Sequence, residues 1–331
     1  MSDFDFIAIG DIVTDAFIRL IKASIHHDGE SGKEEICLVN GSKIPFEFAK
    51  IVPAVGNSPN AAVAAARLGL RSALVSDVGE DRYGEEDIET LRANNVDAQF
   101  LRVHDGKPSN YHYVLWYRDE RTILIKHEEY DYRLPDIGNP KWIYFSSVGE
   151  NSLPYHKEIA EYLASHRQVK LAFQPGTFQI KLGYQTLKDI YAHSEIFFCN
   201  TDEARLILKS GEKDGGALAK NIAELGPKIA VITDGPKGAY AYDSHSGAAY
   251  FMPPYPDPAP PYERTGAGDS FASTFTSALA LGKSTEEALL WAPINSMSVV
   301  QKIGAQEGLI TQEGIQEWLS KAPEEYAPRK I

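Results

Sequence analysis

Pro59-Asn60-Ala61-Ala62-Val63-Ala64-Ala65-Ala66-Arg67-Leu68-Gly69 is followed directly by Ser72-Ala73-Leu74-Val75-Ser76-Asp77-Val78 and then by Gly84 to Asn94. The first run is rich in alanine and closes on glycine, the pattern of a helix with its C-terminal cap. The second is a short apolar run that reads as a buried strand, and the third is helical again. The same rhythm continues on both sides. Phe4 to Gly10, Trp142 to Val148, Val169 to Phe173, Ile196 to Asn200 and Ile229 to Thr233 read as strands. Tyr155 to His166, Asp202 to Lys209, Gly216 to Leu225, Asp269 to Leu281, Thr285 to Lys302 and Thr311 to Ser320 read as helices. Alternation of this kind predicts an α/β fold with a doubly wound, mostly parallel sheet and helices on both faces.

Two stretches break the rhythm. Residues 35–54 and 110–126 are rich in strand-forming residues, with no helix between neighbouring strands. In the second, Tyr111 to Tyr117 and Thr122 to Ile125 flank Asp119-Glu120-Arg121 and read as a hairpin. Paired together, the inserts predict a small β-sheet lid over the carboxyl ends of the main strands, where open α/β sheets bind ligands. Pro253 to Pro261 reads as a stiff connection leading to Thr265. Residues 322–331 are expected to fray. The expected organisation is a single domain, 1–331.

Composition narrows the function. The chain has 331 residues and a formal charge of −13. Such a field repels nucleic acid and anionic membrane, so neither is expected as a partner. The two cysteines, Cys37 and Cys199, lack metal spacing and suit a reducing compartment. The acidic start Met1-Ser2-Asp3-Phe4-Asp5 is unlike a secretory signal, and the expected location is cytoplasmic.

The chemistry is concentrated in Thr265-Gly266-Ala267-Gly268-Asp269, which opens a helical pattern through Phe271, Phe275 and Leu279. Small residues at a helix start let backbone N–H groups approach an anion, and the helix dipole favours negative charge there. A carboxylate in that first turn repels phosphate. Its natural work is to take a proton from a hydroxyl that attacks a phosphoryl group held by the amides. The plainer role for Asp269 is to complement the dipole.

This segment resembles the C-terminal signature of the ribokinase-like (PfkB) carbohydrate and nucleoside kinases. Other pieces resemble the same family in the same order: Gly10-Asp11-Ile12-Val13-Thr14-Asp15, Gly56 to Gly69, Asp77-Val78-Gly79-Glu80-Asp81, Asn200-Thr201-Asp202-Glu203 and Thr233 to Gly238. The resemblance covers nearly the whole chain. It implies the ribokinase-like three-layer αβα fold, ATP as phosphoryl donor and Mg²⁺. It further implies Asp269 as general base and Gly266, Ala267 and Gly268 as the anion hole. Asn200 and Glu203 correspond to the motif that organises Mg²⁺, largely through water. Their plainer role is a helix cap with an acid in its first turn. Thr233, Gly235 and Gly238 match the nucleotide loop, which is otherwise a tight turn. Asp15 and Asn60 match residues that hydrogen-bond substrate hydroxyls, with Gly56 and Asn57 at the family's paired-glycine position. Glu263, Thr265, Gly304 and Gly308 match the loops that bind a monovalent cation, K⁺, in many members.

Three departures stand out. Asn57 replaces the second glycine, Phe173-Gln174-Pro175-Gly176 replaces an Asp-Pro-Asn, and Pro293 falls near an adenine-contacting position. Glu150, after the strand Trp142 to Val148, is placed within reach of the acceptor. His104, His112, His127 and His156 form no motif and are read as solvent-facing or structural. The leading expectation is an ATP-dependent kinase acting on an alcohol group of a sugar. The alternatives are a nucleoside (adenosine-like) kinase and a non-catalytic sugar or nucleotide sensor. A Rossmann oxidoreductase is excluded because the first strand leads into Gly10-Asp11-Ile12-Val13 without Gly-x-Gly-x-x-Gly. A homodimer through the lid, common in the family, is the expected assembly.

Overall fold

The computed structural model describes residues 4–29, 34–118 and 120–331. Met1 to Asp3, Glu30 to Lys33 and Asp119 lie outside them. Alternation of helix and strand produces an 11-stranded sheet. From one edge its order is Arg329–Lys330, Ala248–Met252, Ala239–Asp243, Ile229–Thr233, Ser194–Asn200, Lys170–Phe173, Trp142–Phe145, Phe6–Ile9, Ser72–Gly79 and Val96–Asp97, with Leu101–His104 also on Ser72–Gly79. The strands from Ile229–Thr233 inward are parallel, and Arg329–Lys330, Ala248–Met252 and Ala239–Asp243 at the first edge are antiparallel.

Strand residues alternate between two cores, as the pleat requires. Phe6 and Ala8 pack with Ala61–Ala65, Phe275, Leu289 and Ile315 on one face. Ile7 and Ile9 pack with Ile159, Leu187, Leu218 and Ile222 on the other. The parallel neighbours of Phe6–Ile9 are Ser72–Gly79 on one side and Trp142–Phe145 on the other. The order therefore reverses at this strand, and a crevice opens beyond its carboxyl end at Gly10 and Asp11.

A separate four-stranded sheet runs Glu120–Leu124, Tyr111–Tyr117, Val13–Leu20, Phe46–Val55. Both β-rich stretches contribute to it, but their strands do not pair with each other. Val13–Leu20, which the sequence pattern did not reveal, lies between them, parallel to Tyr111–Tyr117 and antiparallel to Phe46–Val55. Its residues are nearly all buried, with Asp15 among them, so the usual apolar alternation is hidden. Glu34–Cys37 pairs instead with Ser24–His27 in its own ribbon.

Asp87 on helix Arg82–Ala93 ties the lid to the core. Its Oδ1 accepts Thr14 Oγ1 at 3.0 Å and Ala54 N at 2.6 Å. Burial pushes this carboxyl up to about 7, against the pull of those two donors.

The C-terminus corrects the expectation of fraying. Arg329–Lys330 pairs with Ala248–Met252, and the buried Tyr326 donates to Leu290 O at 2.6 Å. Two backbone pairs and a buried aromatic ring hold a segment whose charged sequence suggested none.

Candidate active site

Helix Ala267–Ala280 begins beyond the carboxyl ends of the central strands, after the irregular segment 253–266. Gly266 caps it with φ 79°, and a Cβ there would lie 2.2 Å from Ala305 Cβ. Only glycine meets both demands. The unpaired amides of Ala267, Gly268 and Asp269 face a cavity of 530 Å³. A second cavity, 400 Å³, shares Thr233, Arg264, Ala267 and Gly268 with the first. The helix start is therefore where the two spaces meet.

The second cavity is lined by Gly235, Gly238, Tyr255 and Phe271, and by Pro254 and Pro256 of the proline-rich segment. That segment is thus a cavity wall as well as a connection. Pro293 lies on the opposite wall. Asn295, two residues on, is fully buried, donates to Thr274 Oγ1 at 2.8 Å and accepts Ile310 N at 3.1 Å, so it serves the core.

Asp269 stands in the first turn, on the wall of the first cavity. Asn57 Nδ2 donates to its Oδ1 at 2.7 Å, Gln174 Nε2 to the same oxygen at 3.2 Å, and Asn60 Nδ2 to Oδ2 at 2.8 Å. Asn57 and Asn60 come from helix Asn57–Arg67. Its cap Gly56 adopts φ 120°, where a Cβ would meet Asp11 O at 2.8 Å. Gln174 follows strand Lys170–Phe173, which ends level with the cavity.

Asn200 and Glu203 form a reciprocal capping box. Glu203 N donates to Asn200 Oδ1 and Asn200 N to Glu203 Oε2, both at 2.9 Å. Both also line the first cavity, so cap and site coincide. Burial raises the Glu203 carboxyl, opposed by its bond from Asn200, while the charges of Asp269 and Asp202 push it further up. A cation beside it would relieve that repulsion. Among the described residues, no cluster of three or more His, Cys, Asp or Glu is placed to hold a metal. The Glu203 carboxylate beside the Asn200 side chain suits a Mg²⁺ whose remaining positions are filled by water and phosphate oxygens.

Glu263 is buried, and its carboxylate accepts Thr265 N at 2.6 Å, Thr265 Oγ1 and Gly304 N at 3.3 Å. Arg121 Nη1 lies 3.7 Å from it. Gly308 stands apart, its carbonyl accepting Ser298 Oγ at 2.7 Å.

The far end of the cavity is built by side chains. Asp15, 7% exposed, points in from the lid strand Val13–Leu20. His112 is its cross-strand partner, with Nδ1 3.4 Å from Asp15 Oδ1. Asp11 accepts His127 Nδ1 at 2.7 Å and Tyr132 OH at 2.9 Å. His112 and His127, expected to face solvent or serve the structure, both line the cavity, their rings 5.2 Å apart. Arg121 joins them there, with no signal in its own stretch of chain to mark it. Lid register was the missing information, because Arg121 faces inward only through its pairing with the buried Trp116. Asp15 Oδ1, His112 Nε2 and Arg121 Nε are buried without a hydrogen-bond partner among the described residues.

His104 and His156 are structural, the first on Asp77 at 2.7 Å and the second buried beside Gln179 at 3.1 Å. Glu150 is corrected. Its side chain is 70% exposed and pairs with Lys181 at 3.2 Å, because the chain stays largely buried through Gly149 and reaches the surface at Glu150.

Comparisons with known proteins agree with this geometry. The chain is 28% identical over 272 residues to the ribokinase of Bacillus subtilis, covering 80% of this chain and 87% of the relative. It is 26% identical over 284 residues to the 5-dehydro-2-deoxygluconokinase of the same organism, covering 80% and 86%. In structure it resembles Arabidopsis thaliana ribokinase complexed with ribose and ATP, with TM-score 0.77, 17% identity and 96% and 99% of the two chains covered. It also resembles the nucleoside kinase of Methanocaldococcus jannaschii, with TM-score 0.76, 20% identity and coverage of 97% and 100%. The model of the pfkB family carbohydrate kinases matches residues 53–312. A glycine-capped helix start with a carboxylate, set where two cavities meet, thus has its explanation: the chain belongs to the pfkB family of carbohydrate kinases and is a sugar kinase.

Proposed function

We propose that the chain transfers the γ-phosphoryl group of ATP to a hydroxyl of a sugar, with Asp269 as general base. The observation that carries this reading is that the two cavities meet at Ala267 and Gly268, with Asp269 on the acceptor side. The acceptor hydroxyl gives its proton to the Asp269 carboxylate as its oxygen forms a bond to the γ-phosphorus. The bond from that phosphorus to the β–γ bridging oxygen breaks, and ADP leaves. In this reading the amides of Gly266, Ala267 and Gly268 hold the transferring oxygens, and Thr233, Gly235 and Gly238, which line the second cavity, run along the nucleotide. Mg²⁺, held near Asn200 and Glu203, neutralises phosphate charge when bound.

A sugar rather than a nucleoside is the proposed acceptor, because Asp15 Oδ1 and His112 Nε2, buried with no hydrogen bond among the described residues, suit a ligand dense in hydroxyls. ADP release over a panel of sugars, sugar acids, sugar phosphates and nucleosides tests it. A response to nucleosides alone sinks the sugar reading. K⁺ is proposed at Glu263, Thr265 and Gly304, resting mainly on carbonyl oxygens. Replacing it with tetramethylammonium checks this.

The whole chain 1–331 is proposed to act as one domain. A second copy is proposed to cover the outer lid face, where Ile51, Tyr113 and Leu124 are 54%, 49% and 52% exposed. Light scattering decides between monomer and dimer. No helix among the described residues is long and apolar enough to cross a membrane. Two free thiols support a cytoplasmic setting.

A further inference from the structure

Two departures from the family pattern, Asn57 and Gln174, end on the same atom. Asn57 Nδ2 and Gln174 Nε2 both donate to Asp269 Oδ1, at 2.7 and 3.2 Å, while Oδ2 receives Asn60 Nδ2 at 2.8 Å. A carboxylate has about four acceptor positions, two on each oxygen. With Oδ1 taken twice and Oδ2 once, a single position remains, and it lies on Oδ2.

Two of the three amides are oriented by further bonds. Tyr144 OH donates to Gln174 Oε1, so the amide nitrogen must face Asp269. Burial and the charge of Asp269 push the Tyr144 hydroxyl well up, which keeps it a donor. Gln306 Nε2 donates to Asn60 Oδ1 at 3.0 Å and fixes that amide in the same way. Asn57 Nδ2 is the shortest of the three contacts to Asp269, and this residue is at the helix start. There Gly56 brings the backbone against Asp11 O.

We infer that Asn57 is a positioning residue which, with Gln174, saturates Oδ1 of Asp269 and leaves Oδ2 as the atom that takes the acceptor proton. The inference rests on Asp269 being the base. The clamp holds the carboxylate plane so that its vacant position faces the cavity. Asn57 thereby does with a side-chain donor what a glycine at this position cannot do.

The test measures kcat and both KM values for Asn57→Gly, Asn57→Asp and Gln174→Leu, with ATP and the best sugar of the panel as probes. Thermal unfolding runs alongside. A misplaced base costs on the order of 10²-fold in rate. Asn57→Gly is expected to lower kcat about 10- to 100-fold, with the KM for ATP within about twofold of wild type. Asn57→Asp keeps the volume but replaces the donor with a like charge, so its kcat is expected to fall below that of Asn57→Gly. Gln174→Leu is expected to lie between wild type and Asn57→Gly. Wild-type kcat in Asn57→Gly or Asn57→Asp overturns the inference, and so does a rise in acceptor KM alone, which makes Asn57 an acceptor contact. Asp269→Asn is the separate control. Full turnover in that variant removes the base reading itself, whatever the Asn57 variants do.

Discussion

The two halves of the cleft are made of different material. In the proposed donor half the phosphate end is backbone, the amides after Gly266 and the turn of Gly235 and Gly238, while Tyr255, Phe271 and prolines wall the rest. The acceptor half is side chains, with Asp15 and His112 from the lid, Asp11 and His127 from loops, and Asn57 and Asn60 from a helix. Every chain has the same amides, so a backbone-built site suits the phosphates, which do not vary. Side chains vary at will, so the proposed acceptor half is where the identity of the sugar would be read.

The sharpest way to break this division is at its seam. Asp269→Asn is expected to lower kcat about 10²- to 10⁴-fold while an ATP analogue still binds. A loss of nucleotide binding instead would move Asp269 into the donor half. Next comes Gly266→Ala, on the backbone side. The new Cβ would stand 2.2 Å from Ala305 Cβ at φ 79°, so the amides must shift. Turnover is expected to drop about 10²-fold, and folding stability to fall by about 1–3 kcal/mol. Unchanged kinetics would mean that the amides do not hold phosphate.

On the other side, Asp15→Asn is expected to raise the sugar KM about tenfold, the size of one charged hydrogen bond, with the KM for ATP unchanged. An equal rise in both would blur the two halves.

The smallest effect on catalysis concerns the root of the lid. Asp87 titrates at about 7 in the folded chain because burial opposes its charge, and near 3.8 when exposed. Between those values the folded state keeps a proton that the unfolded chain has lost. This stability is fully present below 3.8 and is lost as pH rises through 7, at up to about 1.4 kcal/mol per pH unit. Wild-type melting temperature should therefore fall from pH 5 to pH 8, and Asp87→Asn should flatten that fall. Parallel pH curves for the two proteins would remove Asp87 as the cause.

Legibility followed the same boundary. Thr265 to Asp269 could be read because glycines in a helix start have few other uses, and the capping pair Asn200 and Glu203 lies three residues apart. His112, His127 and Arg121 could not be read. Each is ordinary in its own stretch and gains its place only from strand register, and strand Val13–Leu20, which sets that register, was itself unrecognised. Glu150 failed for the converse reason: a strand was assumed to continue, and it ends at Phe145. The departures Asn57 and Gln174 were visible as departures, and nothing in a linear chain says that they meet on one oxygen.

By itself, then, the sequence determined the alternation of helix and strand, the glycine-capped helix start and the chemistry of the donor half. These depend on neighbours within a turn or two of chain, where periodicity and backbone freedom act. Tertiary structure alone decided the lid register, the amide clamp on Asp269 and the His-lined acceptor wall. Those depend on contacts between residues such as Asn57 and Asp269, 212 positions apart, and only the packing of the whole sheet brings such residues within hydrogen-bond reach.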